Sequence, residues 1–316
     1  MTAAVVVCTA SAEREPLLLA CVRSLLAGTR IPEEVLVVVD GNPALEESAA
    51  AWLPPCAKLL RTERRGNSEA RNVGLRAASA DVVAFVDDDA AVENGWLAAL
   101  IEPFEESNQV LGAGGAVLPR WGADRRWLPD ELLWVVGCTY RGHREDPGAL
   151  RNPIGCNMAF RRQAIVAAGC FAADFGKRGN ALVICDETEV SLRLMRYHGA
   201  GRIRYIPAAR VHHFVPASRI GWKALALRCV SEGLSKGRLQ RLYPGAALSA
   251  ERRYVARLVG NAVPRLLLEG LARRDVRSLQ AAAAILLSLG VTGAAFIVGA
   301  SGARRRGSPR SSGVAS

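Results

Sequence analysis

Three consecutive carboxylates, Asp87, Asp88 and Asp89, follow the apolar run at residues 82–86. A run of β-branched, aromatic and small apolar residues predicts a buried strand. Three like charges at its exit oppose folding, because each raises the cost of ionising its neighbours. A divalent cation reverses that cost, since Mg²⁺ and Mn²⁺ prefer hard oxygen ligands. The triplet therefore indicates a metal site, with a solvated acidic turn as the alternative.

The segments around the triplet alternate between strand and helix patterns. Strands are predicted at residues 3–8, 34–39, 57–61 and 82–86, and helices at 14–26, 67–78 and 93–106. This alternation predicts an α/β fold with a doubly wound, mostly parallel sheet and flanking helices. Ligands of such sheets bind outside the carboxyl ends of the strands, where the triplet lies. A Gly-rich strand at 110–118 and a strand and helix at 157–168 follow, and we expect the long loop 119–151 between them to be functional.

The positive charge of the chain is concentrated in its last third. Of 316 residues 50% are apolar, which excludes a disordered protein. The net charge is +11, and residues 220–316 account for all of this excess. We predict a near-neutral domain at 1–219 and a basic helical region at 220–316, whose last dozen residues are disordered. The eight scattered cysteines, with no CxxC pair, indicate reduced thiols in a cytoplasmic setting.

An uncharged stretch at residues 278–303 lies inside the basic region. At about 1.5 Å per residue, a helix of this length could cross a hydrocarbon core of roughly 30 Å. Arginines flank both ends, so the positive-inside rule gives no orientation. A spanning helix, an in-plane or re-entrant helix and a buried Ala-rich helix all stay open. We expect an anionic lipid surface as the partner rather than nucleic acid, because aromatic residues are few and no nucleic-acid motif is present.

A dinucleotide-binding fold is the main rival for this architecture. It needs G-x-G-x-x-G between the first strand and the first helix. Residues 9–14, which form that turn, contain no glycine, and no Walker P-loop is present. NAD and P-loop chemistry are therefore not expected.

Seven short segments occur in the order that one enzyme family shows. They are Cys8-Thr9, Val37-Val38-Val39-Asp40-Gly41-Asn42, Gly66-Asn67-Ser68-Glu69-Ala70-Arg71-Asn72-Val73-Gly74-Leu75, Phe85-Val86-Asp87-Asp88-Asp89, Gly155-Cys156-Asn157-Met158-Ala159-Phe160-Arg161-Arg162, Asp186-Glu187-Thr188-Glu189-Val190 and Val211-His212-His213. On these segments the chain resembles the inverting glycosyltransferases of family 2, over roughly residues 3–235. The resemblance implies a GT-A fold, a nucleotide-diphospho-sugar donor and Mg²⁺ or Mn²⁺.

By this resemblance four residues would contact the donor nucleotide. Thr9 and Asp40 would line the nucleoside pocket, with Asp40 accepting from the base or the ribose. Arg71 would face phosphate or a base edge, which suits a guanidinium; an Arg on a solvent-exposed helix is the alternative. Asp87 would hold the metal and could also contact the ribose.

The resemblance also implies a set of metal ligands. Asp87 and Asp89 would be the outer members of a D-x-D motif, and His213 would complete the site. The adjacent His212 would point elsewhere if the segment is extended. A Lewis acid here would neutralise the charge that develops on the leaving nucleoside diphosphate.

The acids that would act on the acceptor follow the family pattern less closely. The family usually has Glu-Asp-x-Glu where this chain has Asp186-Glu187-Thr188-Glu189, so the first two acids are swapped. Inversion needs one carboxylate to deprotonate the acceptor hydroxyl. Glu187 aligns with the usual base, and Asp186 is the second candidate. Asn157 and Glu189 would lie on the acceptor side, with a helix-start acid as the alternative for Glu189.

The sequence thus predicts a metal-dependent inverting glycosyltransferase at the cytoplasmic face of the cell membrane. It would move one sugar, from a UDP-sugar in the first instance, to a hydroxyl of a polyprenyl-phosphate-linked or other cell-envelope glycan. The Q-x-x-R-W motif of processive members is missing. One alternative is a sugar-phosphate nucleotidyltransferase, which would need a Gly-rich signature after the first strand. The other is a catalytically silent membrane scaffold, which has no reason to keep three crowded carboxylates.

Overall fold

The computed structural model describes residues 1–125, 127–176 and 183–302, so the predicted disordered end lies outside the described residues. Within them, nine strands form one sheet: β1 (Ala3–Thr9), β2 (Glu34–Val39), β3 (Ala57–Arg61), β4 (Val82–Asp87), β5 (Ala90–Val92), β6 (Gly112–Trp121), β7 (Gly148–Ala149), β8 (Asn157–Arg161) and β9 (Ile203–Val215). The α-helices are α1 (Glu15–Leu26), α2 (Pro43–Trp52), α3 (Asn67–Ala77), α4 (Trp96–Glu106), α5 (Arg162–Ala167), α6 (Asp186–His198), α7 (Trp222–Leu242), α8 (Ser249–Arg257), α9 (Val263–Arg273) and α10 (Val276–Ser301).

The sheet has the order β3-β2-β1-β4-β8-β6-β9-β5, and β7 pairs with β9. Strands β1 to β4 are parallel to one another. β8 runs antiparallel between β4 and β6, β6 is parallel to β9, and β5 and β7 are antiparallel to β9. The α/β class with flanking helices is confirmed. The sheet is mixed, with its continuous parallel part in the first half of the chain.

Helices cover both faces of the parallel part. Val5 and Val7 of β1 belong to the core that α1 and α4 complete, and Val6 belongs to the core formed with α3. Because both faces are buried, β1 is a continuous apolar run rather than an alternating one. A Cβ on Gly74 would come within 2.4 Å of Val6 Cγ1. Glycine at this position therefore lets α3, which carries Arg71, pack directly against the sheet.

Helix α2 and strand β5 were not predicted, and β5 organises the site. Helix α2 begins at Pro43 after Asn42, whose side chain accepts a hydrogen bond from the Leu45 amide. Strand β5 follows the acidic triplet directly and pairs with β9, with Ala90 opposite His213. The pairing with β9 therefore brings residues more than a hundred positions apart in sequence to the same end of the sheet.

The C-terminal helices pack on the rest of the chain and on each other. Leu225 of α7 belongs to the same core cluster as β1. A Cβ on Gly233 would come within 2.4 Å of the Thr292 carbonyl oxygen. A Cβ on Gly237 would come equally close to the Phe296 carbonyl oxygen. Small residues four apart allow two helices to approach this closely. Helices α7 and α10 therefore form a tightly joined pair.

Among the described residues, α10 is the one helix long and apolar enough to cross a membrane. A core helix of a soluble protein can have the same length and apolar composition. In this structure 33% of the most apolar stretch of α10 is buried. Leu286, Ile297 and Val298 of α10 are exposed, and so are Leu268 and Leu271 of α9. The last residue of the predicted stretch 278–303 lies outside the described residues.

Candidate active site

The end of β4, strand β5 and strand β9 bring three potential metal ligands together. Ligand atoms of Asp87, Asp89 and His213 all lie within 4.8 Å of one another. The amide of Phe214 donates to the Asp89 carbonyl oxygen at 2.8 Å, which fixes the triplet against β9. His212 points away and lies 3.0 Å from Glu93. The alternation along β9 thus turns one histidine towards the acids and the other outwards.

Asp89 is buried, and its environment suits a cation. Its Oδ1 lies 3.2 Å from His213 Nε2 but receives no hydrogen bond from the described residues. Its Oδ2 lies 3.1 Å from Arg14 and 3.8 Å from Arg219. Burial opposes its charge, but the contacts with His213, Arg14 and Arg219 hold the pKa of Asp89 below its ordinary value. An ionised, under-coordinated carboxylate beside an imidazole fits a hard divalent metal ion.

The middle acid of the triplet points away from this group. Asp88 accepts hydrogen bonds from the Thr9 hydroxyl at 2.7 Å and from Arg14 at 2.9 Å. Burial raises its pKa despite these contacts. Asp88 therefore connects the triplet to β1 and to the start of α1. Thr9, which was expected in the nucleoside pocket, is buried, and its hydroxyl donates to Asp88.

Arg71 is buried and lies between two acids rather than on a solvent-exposed helix face. Its Nη1 lies 2.8 Å from Asp186 Oδ1, and its Nη2 lies 3.5 Å from Asp87 Oδ1. Nη2 also donates to the Gly155 carbonyl oxygen at 3.0 Å. Asp186 accepts a further hydrogen bond from Ser68 at 2.9 Å. The guanidinium thus joins the metal-ligand group to the first turn of α6.

Glu187, the next residue of α6, lies in a different environment. Thr188 donates to its carboxylate at 3.2 Å, and among the described residues no cation is within salt-bridge distance. Burial and the neighbouring Asp186 charge raise the pKa of Glu187 to about 7. A carboxylate with this pKa is suited to take a proton near neutral pH.

Asp40 lies at the end of β2, where it holds the turn before α3. Its carboxylate accepts from the Thr62 hydroxyl at 2.9 Å and from the Gly66 amide at 3.0 Å. These bonds fix the segment that leads into Asn67, which lines the cleft described next. The side chain remains partly exposed.

A single open cleft of about 2210 Å³ connects these groups. Asp87, Arg71, Glu187 and His213 line one part of it. The rest of its wall comes from the loop at 134–155 and from α7, α8 and α10. Single-ligand pockets are typically about 300–1,000 Å³, so this cleft has room for two substrates. The contribution of the C-terminal helices was not predicted from the sequence.

Comparisons with known proteins agree with this geometry. The family model described as glycosyl transferase family 2 matches residues 4–167. The glucosyl-dolichyl phosphate glucuronosyltransferase of Haloferax volcanii is 34% identical over 251 residues, which cover 78% of this chain and 80% of that protein. The succinoglycan biosynthesis protein ExoM of Rhizobium meliloti is 28% identical over 241 residues, 72% of each chain.

The chain belongs to glycosyl transferase family 2.

A solved structure supports the fold of this glycosyltransferase. The mannosyltransferase PcManGT of Pyrobaculum calidifontis, solved with GDP-Man and Mn²⁺, has a TM-score of 0.60 at 19% identity. The match covers 92% of this chain and 86% of that one. At this identity the likeness shows the GT-A fold alone. The family membership removes the nucleotidyltransferase and scaffold alternatives.

Two residues expected on the acceptor side of this glycosyltransferase are structural. Asn157 is fully buried: its amide donates to the carbonyl oxygens of Ala116 and Ala209 and accepts from Trp96. It fills the irregularity between β6 and β9 that begins after Gly115. With its amide group engaged on both sides, Asn157 cannot reach a substrate, and its assignment is corrected.

Glu189 is likewise occupied by protein partners. It forms an ion pair with Arg193 at 2.7 Å and accepts a hydrogen bond from the Tyr243 hydroxyl at 2.7 Å. Its side chain is buried and does not line the cleft. Glu189 therefore connects α6 to the end of α7, and its acceptor-side assignment is corrected too.

Two arginines of the site were not predicted. Arg14 contacts both Asp88 and Asp89 from the turn after β1. Arg219 lies 3.4 Å from His213 Nε2, in the short helical turn before α7. The position of Arg14 after the first strand could have suggested it, because that turn faces the carboxyl end of the sheet. No motif points to Arg219, which reaches the site through the course of β9.

Proposed function

We propose that this glycosyltransferase moves one sugar, with inversion, from a nucleotide-diphospho-sugar to a hydroxyl of a lipid-linked or other cell-envelope glycan. The observation that carries the proposal is that Asp87, His213 and Glu187 line the same cleft. Metal ligands and a proton acceptor are the two components that this reaction needs.

Asp87, Asp89 and His213 would hold Mg²⁺ or Mn²⁺. When bound, the ion would supply positive charge against the diphosphate of the leaving group. Asp87 would be the ligand that faces the donor, because its side chain is 39% exposed whereas that of Asp89 is 3% exposed. Arg14 and Arg219 keep the buried carboxylate of Asp89 ionised, so that it is ready to accept a cation.

Glu187 would take the proton of the acceptor hydroxyl. Asp186 is less suitable, because Arg71 and Ser68 occupy its oxygens and it is almost fully buried. Glu187 faces the cleft, and its pKa of about 7 gives a useful fraction of the ionised base together with a useful affinity for the proton. Arg71 would position both the proposed metal ligand Asp87 and the first turn of α6, because it contacts Asp87 and Asp186 at the same time.

The donor and acceptor classes are supported by the relatives. The name of the Haloferax relative includes a dolichyl phosphate, which favours a lipid-linked acceptor. The mannosyltransferase structure is a complex with GDP-Man, so UDP-sugars are our first prediction and GDP-sugars our second. Asp40 and Arg71 stay the proposed determinants of the nucleoside end, whereas Thr9, whose hydroxyl donates to Asp88, would support this end indirectly.

We place the protein on the cytoplasmic face of the membrane, with α10 lying along the surface rather than across the bilayer. Helix α10 packs closely along α7, which carries Lys223, Arg228 and Glu232. If α10 crossed the bilayer in this arrangement, it would take the charges of α7 with it at a cost of about 2.5–3.5 kcal/mol each. The exposed leucines of α9, Leu267, Leu268 and Leu271, suit an in-plane position.

The decisive experiment is a donor panel. Purified full-length protein is incubated with UDP-, GDP- and dTDP-sugars, with and without Mn²⁺, and release of the nucleoside diphosphate is measured. We expect release from one nucleotide class that EDTA abolishes and Mn²⁺ restores. Release that is unchanged by EDTA would contradict the metal assignment, and no release with any donor would contradict the proposed donor class.

A further inference from the structure

Two arginines of α8 face the cleft without a protein counter-ion. Arg253 and Arg257 are one helical turn apart, line the cleft and are exposed. Neither forms a salt bridge or side-chain hydrogen bond with any described residue. Like charges at this spacing destabilise a helix slightly, so folding alone gives no reason for the pair. An anionic ligand would compensate both charges.

Two other cations of the cleft, Lys236 and Arg151, are already neutralised. Lys236 lies 2.7 Å from Glu251, and Arg151 forms an ion pair with the same acid. These contacts hold the pKa of Glu251 at about 2, well below its ordinary value, against the effect of burial. Arg253 and Arg257, like Arg252 and Arg196 of the same cleft, form no salt bridge with a described residue and are left available for a ligand.

Helix α8 is fixed relative to the catalytic residues. The hydroxyl of Tyr254 donates to the Glu131 carbonyl oxygen and accepts from the Trp134 indole at 3.0 Å. The Tyr254 ring also packs edge-on against Tyr140, with ring centroids 5.1 Å apart. The backbone positions of the two arginines on either side of this anchor are thus fixed before a ligand binds, which lowers part of the entropic cost of binding.

An apolar wall continues the cleft beside these arginines. It is formed by Leu227 of α7, Val259 after α8, and Leu289 and Phe296 of α10. Leu227 and Val259 are 52% and 55% exposed. One cleft therefore joins the proposed metal ligands, an unpaired basic pair and an apolar surface on the candidate membrane helix.

We propose that Arg253 and Arg257 bind the phosphate of a lipid-phosphate-linked acceptor, whose hydrocarbon chain lies on the wall of Leu227, Val259, Leu289 and Phe296. The acceptor role rests on the proposed function, whereas the binding of a lipid phosphate does not. The chemistry selects a phosphate monoester or diester with an apolar chain. Neither a neutral glycan nor a soluble phosphate uses both surfaces.

The test measures binding without any donor. Full-length protein in neutral detergent is titrated with geranyl phosphate, geraniol and inorganic phosphate by calorimetry. We expect geranyl phosphate to bind at least about tenfold more tightly than either of the others, since charge-assisted hydrogen bonds to a phosphate are strong. R253Q/R257Q should lose that advantage. The control R273Q/R274Q, which removes two exposed arginines outside the cleft, should keep it.

Three outcomes would overturn the proposal. Geranyl phosphate binding to R253Q/R257Q as it does to the wild type would exclude the arginines. Equal affinity for geraniol would exclude the phosphate contact, and equal affinity for inorganic phosphate would exclude the apolar wall. A wild type that binds geranyl phosphate but hydrolyses no donor would contradict the proposed function alone.

Discussion

Arg71 and Asp186 form a buried ion pair in which Nη1 lies 2.8 Å from Oδ1, and the same guanidinium lies 3.5 Å from Asp87. In this pair Arg71 compensates the charge of Asp186, so Asp186 serves the fold. It leaves the adjacent Glu187 as the cleft-facing acid of α6 without a counter-ion among the described residues. Two neighbouring acids of one helix turn thus have different environments, and the environment of Glu187 raises its pKa to about 7.

Replacing Glu187 is expected to stop sugar transfer without weakening donor binding. E187Q keeps the size of the side chain but cannot accept a proton, so kcat should fall by about 10²–10⁴-fold. The Kd for the donor with Mn²⁺, measured by calorimetry, should stay close to that of the wild type. E189Q serves as the control, because Glu189 is held by Arg193 and Tyr243 away from the cleft. It should lower the melting temperature while the folded enzyme remains active, and a loss of kcat equal to that of E187Q would contradict our assignment.

The pH dependence should report Glu187. Since its pKa is raised to about 7, kcat/KM should fall about tenfold per pH unit below that value as the base becomes protonated. The neighbouring Asp186 charge contributes to this rise, so D186N should move the acidic limb to lower pH. A limb that does not move in D186N would contradict the assigned coupling.

A stability measurement checks the same group without using activity. Folding raises the pKa of Glu187, so the folded state holds its proton more tightly than the unfolded state does. The stabilising contribution of this proton is complete below the unfolded pKa and is lost as the pH rises through about 7. Relative to wild type, E187Q should therefore gain stability between pH 5 and pH 8 in urea denaturation. An unchanged difference across this range would argue that the pKa is not raised.

Within the acidic triplet, we expect Asp89 to act as a metal ligand and Asp88 to stabilise the fold around it. D89N removes a proposed ligand and should weaken Mn²⁺ binding by more than the roughly 10–100-fold that changes in outer-shell partners cause. D88N removes an equal charge from the residue that Thr9 and Arg14 hold. It should weaken Mn²⁺ binding less and lower the melting temperature. Calorimetric Mn²⁺ titrations of both variants decide this, and equal affinities would contradict the division.

Membrane recovery should depend on the exposed leucines of α9. L268E/L271E places charges at two side chains that are 69% and 71% exposed, so it should shift the protein from the membrane fraction to the supernatant while the fold is kept. V166E, at an exposed position of α5, is the matched control and should behave as wild type. If L268E/L271E sediments with membranes as wild type does, α9 is not part of the contact.

The parallel half of the fold could be predicted because its strands are short apolar runs between clear turn and cap residues. Strands β2 and β3 match their predicted bounds. Strand β5 has three residues and exists through its pairing with β9, so no local pattern announces it. Helix α2 was not predicted, although Asn42 and Pro43 form a recognisable helix start.

The arrangement of the candidate site was predictable where a motif fixes both residue type and direction, as for the grouping of Asp87, Asp89 and His213. It was not predictable where a polar residue in a motif is used by the fold. Only for Glu189, four residues before Arg193 on α6, could the spacing have suggested the ion pair. The amide of Asn157 completes the β6–β9 irregularity through partners that are distant in sequence. The same holds for Arg219 and for α8, which meet the site through tertiary packing alone.

The anchoring of Tyr254 in the backbone of the loop around Glu131 has a consequence for protein engineering. A chimera joined near residue 220 would keep that loop from one parent and Tyr254 from the other, so the hydrogen bonds to Glu131 and Trp134 would depend on two unrelated sequences. Exchange of the C-terminal helices between such enzymes should therefore carry the loop with them as one cassette. The natural unit for recombination is discontinuous in the chain, although it is continuous in space.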